Sequence, residues 1–212
     1  MKIDGLFAGK VSAFGKGTSK SAIMKNPVTE LDVFFEYTEQ DEQANLKLHG
    51  GPEKVLHQFG LQNYAIINNH FAQANATIGS IGENISVLGM HDDNVCIGDV
   101  YSMGEIIVQV AAPRAPCIRI AQRYGIKQLD KFVGREGICG WYYRVLQEGK
   151  LKLGDPVTLH QRNEHTVTVQ NLLRAVFNPD YAPLAHQYKD LEVVDKEWRE
   201  KCRKIASKTP IQ

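Results

Sequence analysis

The sequence lacks the features that would place it in a membrane or in a disulfide scaffold. No apolar run approaches the roughly 18 residues that a membrane span needs, and Asp4 and Gly5 stand where a secretory signal peptide needs an apolar stretch. The 4 cysteines form no C-x-x-C pair and no zinc-ligand spacing, since they lie far apart at Cys96, Cys117, Cys139 and Cys202. We therefore expect a cytoplasmic protein with reduced thiols and no membrane partner.

The sequence also lacks an excess of charge of either sign. Its 25 Lys and Arg residues against 24 Asp and Glu residues give a formal charge of +1. A balance this even does not attract a nucleic acid polymer or an anionic lipid surface, so any recognition of an anion must be local. The length of 212 residues, 43% of them hydrophobic, allows one or two ordinary globular domains.

Up to about residue 165 the sequence is dominated by β signals. Short runs of β-branched and aromatic residues recur between glycine or Asn/Asp turns, at Leu31–Tyr37, Ile106–Ala111 and Val157–Leu159. Two helices are predicted among them, at Glu53–Asn69 and near Gly140–Gln147. Many short strands with glycine-rich turns favour a mainly β fold with α+β elements, arranged as a barrel-like domain.

After residue 165 the pattern becomes helical. Apolar residues at helical spacing begin at Leu172, and two more short helices are predicted at Pro183–Tyr188 and Asp195–Ser207. We therefore predict a β-barrel domain at residues 1–165 and a small helical extension at residues 166–212.

The segment Ala112–Arg119 is the most informative, because it directly follows the clearest strand. Functional loops concentrate at strand ends, and two prolines leave Cys117 little conformational freedom. Arg114, Arg119 and Arg123 would bring positive charge near the sulfur and favour the thiolate, which is the nucleophilic and metal-binding form. A cysteine buried as a small hydrophobe would need neither prolines nor arginines. We therefore predict that Cys117 is a reactive residue.

Three other segments are ambiguous when their spacing is considered alone. The turn at His49–Pro52 could offer backbone N–H groups to an oxyanion, but a plain surface turn has the stronger claim. The glycines in Gly79–Asn84 are not followed by the Lys-Ser/Thr pair of a phosphate loop, so they indicate a bend beside a strand. Trp141 and Tyr142 are interpreted as packing residues, and Cys139 as a structural residue.

Taken together, these segments resemble a known family. The runs H-G-G-P-E-K, G-E-N-I, P-R-A-P-C and G-x-C-G-W-Y-Y-R begin at His49, Gly82, Pro113 and Gly137, in the order and at the spacing of MOSC-domain proteins. The chain most resembles the YiiM-like branch, which carries a three-helix extension after its barrel. The resemblance covers nearly the whole chain and implies a MOSC-type β-barrel followed by that extension.

The resemblance also implies an activity, that of an oxidoreductase which reduces N-hydroxylated bases such as 6-hydroxylaminopurine to amines. Its cofactor would be the molybdenum cofactor, in which molybdenum is bound to molybdopterin, and Cys117 would supply the metal with a thiolate ligand. The chain shows no flavin, haem, iron–sulfur or dinucleotide motif, so a separate reductase would have to deliver the electrons. Whether the protein forms a homodimer is left open.

Further site residues follow from the same resemblance. Lys25, in Ile23–Val28, would neutralise the cofactor phosphate, and we expect its side chain to be exposed. Either His49 or Glu83 would relay protons, with no choice between them. Family members often carry an acid shortly before the histidine–glycine turn, where this chain has Asn45. The other residues implied to bind the cofactor are His49, Gly50, Gly51, Gly82, Asn84, Arg114 and Ala115.

Two other functions stay open on the sequence. An activated Cys117 could carry a persulfide and pass its sulfur on without any metal, although that role does not explain the local cluster of anion-holding loops. A non-catalytic ligand-binding module could keep the barrel without any turnover.

Overall fold

The computed structural model describes residues 1–15, 19–45 and 50–210. None of the helices in this part of the chain is long and apolar enough to cross a membrane. The strands are β1 (Gly5–Ala8), β2 (Ser12–Ala13), β3 (Lys20–Ser21), β4 (Asn26–Pro27), β5 (Glu30–Val33), β6 (Leu56–Gln58), β7 (Ile85–Ser86), β8 (Val100–Met103), β9 (Ile106–Pro113), β10 (Trp141–Gln147), β11 (Gly149–Lys152) and β12 (Val157–Gln161). The α-helices are α1 (Gln62–His70), α2 (Ile118–Tyr124), α3 (Leu129–Glu136), α4 (Val169–Phe177), α5 (Ala185–Tyr188) and α6 (Lys196–Ala206).

Eight of these strands form one sheet, in the order β12, β8, β9, β10, β6, β7, β1 and β4. Strand β9 shows why the chain forms it, since Ile106, Val108 and Val110 are buried while Ile107 and Gln109 are less so. This period of two matches the alternation of side chains along a strand. The strand predicted at Ile106–Ala111 is therefore confirmed. Strands β9 and β10 pair along most of their length and lie in the middle of the sheet.

The N-terminal residues connect the two ends of this strand order. Met1 and Val157 of β12 exchange backbone hydrogen bonds of 3.1 and 2.9 Å, and the amide of Ile3 donates to the Asp155 carbonyl at 2.9 Å. Because the same segment continues into β1, near the opposite edge, the sheet curls towards a barrel. The predicted mainly β, barrel-type fold is confirmed.

Two predicted helices were wrong in whole or in part. The helix predicted near Gly140–Gln147 is strand β10, because its aromatic and β-branched residues pack between β9 and β6 in the sheet. In the segment predicted as helical at Glu53–Asn69, Leu56–Gln58 is strand β6 and helix α1 begins only at Gln62. All three residues of β6 are buried, so no polar face distinguishes them from a buried helix segment.

Two predicted strands were placed with different accuracy. The strand predicted at Val157–Leu159 lies within β12 and is confirmed. The strand predicted at Leu31–Tyr37 ends at Val33, after which the Phe34 amide donates to the Tyr37 carbonyl at 2.9 Å and closes a turn. Helices α2 and α3, which follow the cysteine loop, were not predicted.

The C-terminal segments are helical as predicted. Helix α4 begins after Thr168, whose hydroxyl accepts the Asn171 amide at 3.1 Å, and α6 begins after Asp195, whose carboxylate accepts the Trp198 amide at 2.9 Å. These hydrogen bonds satisfy amides that the first turn of a helix leaves without partners. The buried face of α4, which includes Leu172, packs against β9 of the barrel. The domain division at residue 165 stays a prediction.

We predict that Leu172→Ala lowers the free energy of unfolding by about 2–5 kcal/mol, because Leu172 is 0% exposed and its removal leaves a cavity between α4 and the barrel. Leu88→Ala is the matched control, since Leu88 is 68% exposed, and its effect is expected within about 0.5 kcal/mol. Urea unfolding of both variants measures the difference. Equal losses would contradict the assignment of α4 to the core.

Candidate functional site

Cys117 lies at the end of the loop that follows β9. It is the extended residue, with φ −128° and ψ 136°, immediately before helix α2. Its side chain is half-buried, whereas the other three free cysteines, Cys96, Cys139 and Cys202, are buried. Burial raises the pKa of all three buried thiols, that of Cys202 to about 11. The thiol predicted to be reactive is therefore the accessible one.

Cys117 faces a cavity that brings together residues from distant parts of the chain. Four other residues predicted for the cofactor, Lys25, Gly82, Asn84 and Arg114, line the same cavity. Among the residues that the structure describes, four cationic and two anionic side chains contribute to its wall, a local positive excess in a chain whose formal charge is +1. The described residues that line the cavity are Ser21, Ala22, Ile23, Lys25, Asp41, Glu42, Gln43, Ala44, Lys54, His57, Gly82, Asn84, Arg114, Cys117, Arg119 and Tyr142.

Arg114 is fixed at the base of the loop by contacts on both its backbone and its side chain. Its amide donates to the Gly140 carbonyl at 2.9 Å, and Nη1 donates to the Ile81 carbonyl at 2.9 Å. Gly140 is itself held, since its amide donates to the Asp92 carboxylate at 2.8 Å and a Cβ there would lie 2.1 Å from the Gln58 carbonyl oxygen. The guanidinium is thus buried but still lines the cavity.

Lys25 is not exposed as expected, because it forms a buried ion pair with Asp41 in which each side chain is only 6% exposed. The Asp41 carboxylate also accepts the Gly9 amide at 2.8 Å and the side-chain amide of Asn84 at 2.9 Å. The Asn84 oxygen in turn accepts the His57 backbone amide at 3.0 Å. Burial lowers the pKa of Lys25, and the Asp41 carboxylate partly opposes that shift.

His57 is a buried histidine on the same wall. Its Nε2 lies 3.3 Å from the Cys139 carbonyl oxygen, and its ring centroid is 5.4 Å from that of Tyr142. Burial, reinforced by the positive charges of Arg114 and Lys25, holds the pKa of His57 well below its usual value. The imidazole is therefore neutral at neutral pH.

Glu83, one of the two predicted proton relays, does not line the cavity. It is 0% exposed, and its carboxylate accepts the amides of Gly79 at 2.6 Å and Ile81 at 3.1 Å together with the Tyr64 hydroxyl. Burial and the nearby Glu83 carboxylate raise the pKa of Tyr64. Through these contacts Glu83 stabilises the turn that contains Gly82 and Asn84, both of which line the cavity.

The remaining predicted residues are distributed around the cavity. Gly82 has a φ of +90°, and a Cβ there would lie 2.9 Å from Ile23 Cγ1, so the close approach of the wall requires glycine. Ala115 and Gly51 line two adjoining cavities instead, and Gly50 is half-buried outside the lining. His49 lies outside the described residues.

Sequence reasoning missed several residues of the cavity wall, and Asp41, His57 and Tyr142 are the most informative of them. Asp41 lies four positions before Asn45, the position compared with the family's acid, so a wider window would have included it. His57 was hidden in a segment predicted as helical. Tyr142 was interpreted as packing, and it is indeed 8% exposed, yet it also lines the cavity.

The chain thus combines a barrel-type sheet with an accessible thiol in a cavity that has a positive excess. The family model for the MOSC domain matches residues 45–158, which is more than half of the sequence, and the chain belongs to this family.

The chain is also similar to individual proteins of known sequence. The YflK protein of Bacillus subtilis (strain 168) is 36% identical over 152 residues, which cover 71% of this chain and 68% of that protein. The YiiM protein of Escherichia coli (strain K12) is 34% identical, with 78% and 74% covered. A protein named reductase from Gibberella moniliformis (strain M3125 / FGSC 7600) is 34% identical over 64% of this chain, but only 25% of that longer protein is matched.

The fold agrees with that of a solved structure. The crystal structure of YiiM from Geobacillus stearothermophilus superposes with a TM-score of 0.78 over 96% of this chain and 98% of that one, at 27% sequence identity.

We predict that Asp41→Ala lowers the free energy of unfolding by about 3–5 kcal/mol, because it leaves the Lys25 ammonium and two N–H groups buried without their acceptor. Lys25→Ala costs less, since the carboxylate keeps the Gly9 and Asn84 donors. The double variant costs less than the sum of the single losses. Chemical unfolding of the three variants measures this coupling, and strict additivity would show that the pair does not interact.

The pH dependence of stability tests the neutral state of His57. Its folded pKa is depressed below the unfolded value of about 6.5, so the unfolded chain binds a proton that the folded chain does not. The contribution of His57 to stability is therefore lost as the pH falls below about 6.5, by at most about 1.4 kcal/mol per pH unit. We predict that His57→Gln flattens this loss between pH 5 and pH 6.5.

The matched control is His160→Gln, at an exposed position of β12, which leaves the slope of the wild type. Unfolding free energies at closely spaced pH values measure both variants. A His57→Gln slope as steep as that of the wild type would show that some other group takes up the proton.

Proposed function

We propose that this protein binds the molybdenum cofactor and reduces N-hydroxylated bases, such as 6-hydroxylaminopurine, to amines. The observation that carries the proposal is the accessible thiol of Cys117 in a cavity with a positive excess. Membership of the MOSC family and the similarity to a protein named reductase support an oxidoreductase.

The donor set of the cavity fits this cofactor. Molybdenum is held largely by two sulfurs of the pterin, so the protein needs to add only one soft ligand. Within residues 1–15, 19–45 and 50–210, no group of three His, Cys, Asp or Glu side chains could hold a metal ion by itself. A single thiol suits a metal that arrives with ligands of its own, and Cys117 would be that ligand.

The charges of the cavity fit the anionic part of the cofactor. The Arg114 guanidinium is held rigidly on the wall, and Arg119 adds further positive charge, whereas the Lys54 ammonium is paired with the Glu197 carboxylate. Phosphate groups are recognised by such cations together with backbone N–H groups. Lys25 would contribute N–H donors rather than net charge, because the Asp41 carboxylate already balances its ammonium.

When bound, the cofactor supplies a two-electron reduction in which R–NH–OH takes up two electrons and two protons and yields R–NH₂ and water. A separate reductase delivers the electrons. Cys117 anchors the metal at the end of the rigid loop. His57 is neutral at neutral pH and so does not deliver a proton as an imidazolium, and Glu83 is outside the cavity. His49 is the residue that we propose for the proton relay.

We predict that Cys117→Ser abolishes molybdenum binding and turnover while leaving the thermal midpoint nearly unchanged, because Cys117 is half-buried and contributes little to the core. Elemental analysis of protein from a cofactor-competent host measures the metal, and turnover of 6-hydroxylaminopurine with an artificial electron donor measures activity. Ile118→Ser is the control, since the next side chain is 56% exposed. Stoichiometric molybdenum in the Cys117→Ser protein would refute the assigned ligand.

The same measurements separate the two rival functions. A persulfide carrier would show cyanide-labile sulfur that depends on Cys117, without molybdenum. A passive binding module would show no turnover of 6-hydroxylaminopurine even when it holds the cofactor. Either result would replace the reductase proposal.

A further inference from the structure

A second cavity adjoins the first at Cys117. The two cavities share Cys117, Lys54 and Tyr142, so the thiol lies at their boundary. The second cavity lies against the proline loop on one side and helix α6 on the other. A molecule in it would reach the same sulfur as the cofactor, but from the side of the C-terminal extension.

The size and walls of the second cavity suit one small ring system. Its volume is about 260 Å³, just below the range of roughly 300–1,000 Å³ that is typical of ligand sites. Pro113, Ala115 and Pro116 form one side, and the Trp198 indole of α6 forms another. Prolines and a buried aromatic ring are stiff, apolar surfaces, so they favour a flat, apolar ligand.

Helix α6 also places charged groups at this cavity. Glu197 lies between two cations, with its carboxylate 3.1 Å from the Lys54 ammonium and 2.6 Å from the Lys201 ammonium. The Lys201 ammonium is 4.5 Å from the centroid of the Trp198 ring. Two cations against one anion leave a positive excess beside an aromatic wall, which suits the electron-rich face of a heteroaromatic ring.

From this arrangement we infer that the second cavity is the substrate subsite, and that Lys201, held beside the buried Trp198 ring of helix α6, determines its specificity for planar N-hydroxylated heteroaromatic bases. The base lies between the proline loop and α6, with its N-hydroxyl group towards Cys117. The C-terminal extension thereby contributes directly to the active site. This inference rests on the proposed function, because it needs a reacting centre at Cys117.

Two variants test the subsite in the molybdenum-loaded protein. Lys201→Met removes the ammonium beside the indole and is expected to raise KM for 6-hydroxylaminopurine about fivefold with kcat nearly unchanged. Ala115→Leu fills the cavity and is expected to raise KM about tenfold. Molybdenum content stays at the wild-type level in Lys201→Met, because Lys201 does not line the cofactor cavity, and KM and kcat in both variants are determined from rates per molybdenum bound. Lys204→Met, on an exposed part of α6, is the matched control.

Equilibrium binding of adenine, the amine product, gives a readout that does not need turnover. We expect calorimetry to show adenine binding that weakens in Lys201→Met and Ala115→Leu by the same factors as KM and is unchanged in Lys204→Met. If adenine binding follows this order but the protein does not reduce 6-hydroxylaminopurine, the subsite stands and the proposed activity is wrong. Equal affinity in all variants, or no binding of adenine at all, would overturn the subsite.

Discussion

The hydrogen bond between the Arg114 amide and the Gly140 carbonyl extends the pairing of β9 and β10 past the last residue of β9. The amide of the same residue, Gly140, donates to the buried Asp92 carboxylate, and burial raises the pKa of Asp92 to about 6. A side chain at position 140 would collide with the Gln58 carbonyl. The start of the cysteine loop is therefore fixed from three directions, and Cys117 follows it by only three residues.

The cavity combines a neutralised ion pair with unbalanced cations, and these two parts have different consequences. The Lys25–Asp41 pair is buried and satisfied by hydrogen bonds from Gly9 and Asn84, so it ties four distant segments together without adding net charge. Arg114 has no carboxylate partner among its described contacts, and its side chain donates to a backbone carbonyl. Its charge is therefore available to an anion, which makes it the stronger candidate for holding a phosphate.

The sequence predicted the elements whose pattern is local. The alternation in β9 and the apolar spacing of α4 were sufficient, and the proline–arginine setting singled out Cys117, whose thiol is half-buried while its predicted reactivity stays a prediction. Strands β6 and β10 could not be distinguished from helices, because β6 has only three residues, all buried, and the apolar and polar residues of β10 do not alternate with a period of two. Asp41 and His57 were missed because they reach the cavity through pairing between distant segments, which no spacing within the chain records.

The position of helix α6 also could not be predicted from the sequence, although its residues were correctly predicted as helical. The structure brings Glu197, Trp198 and Lys201 to a second cavity that shares Cys117 with the cofactor cavity. A thiol between a cationic cavity of about 90 Å³ and a more apolar one of about 260 Å³ can serve two ligands of different chemistry. That division of the site is the physical basis for assigning a cofactor to one side and a substrate to the other.

X-ray absorption at the molybdenum edge of the loaded protein tests the central claim most directly, because it counts the sulfur atoms bound to the metal. The account predicts two sulfurs from the pterin and a third from Cys117. A spectrum with only the two pterin sulfurs would show that the thiol does not bind molybdenum, and the assignment of this cavity to the cofactor would then be wrong.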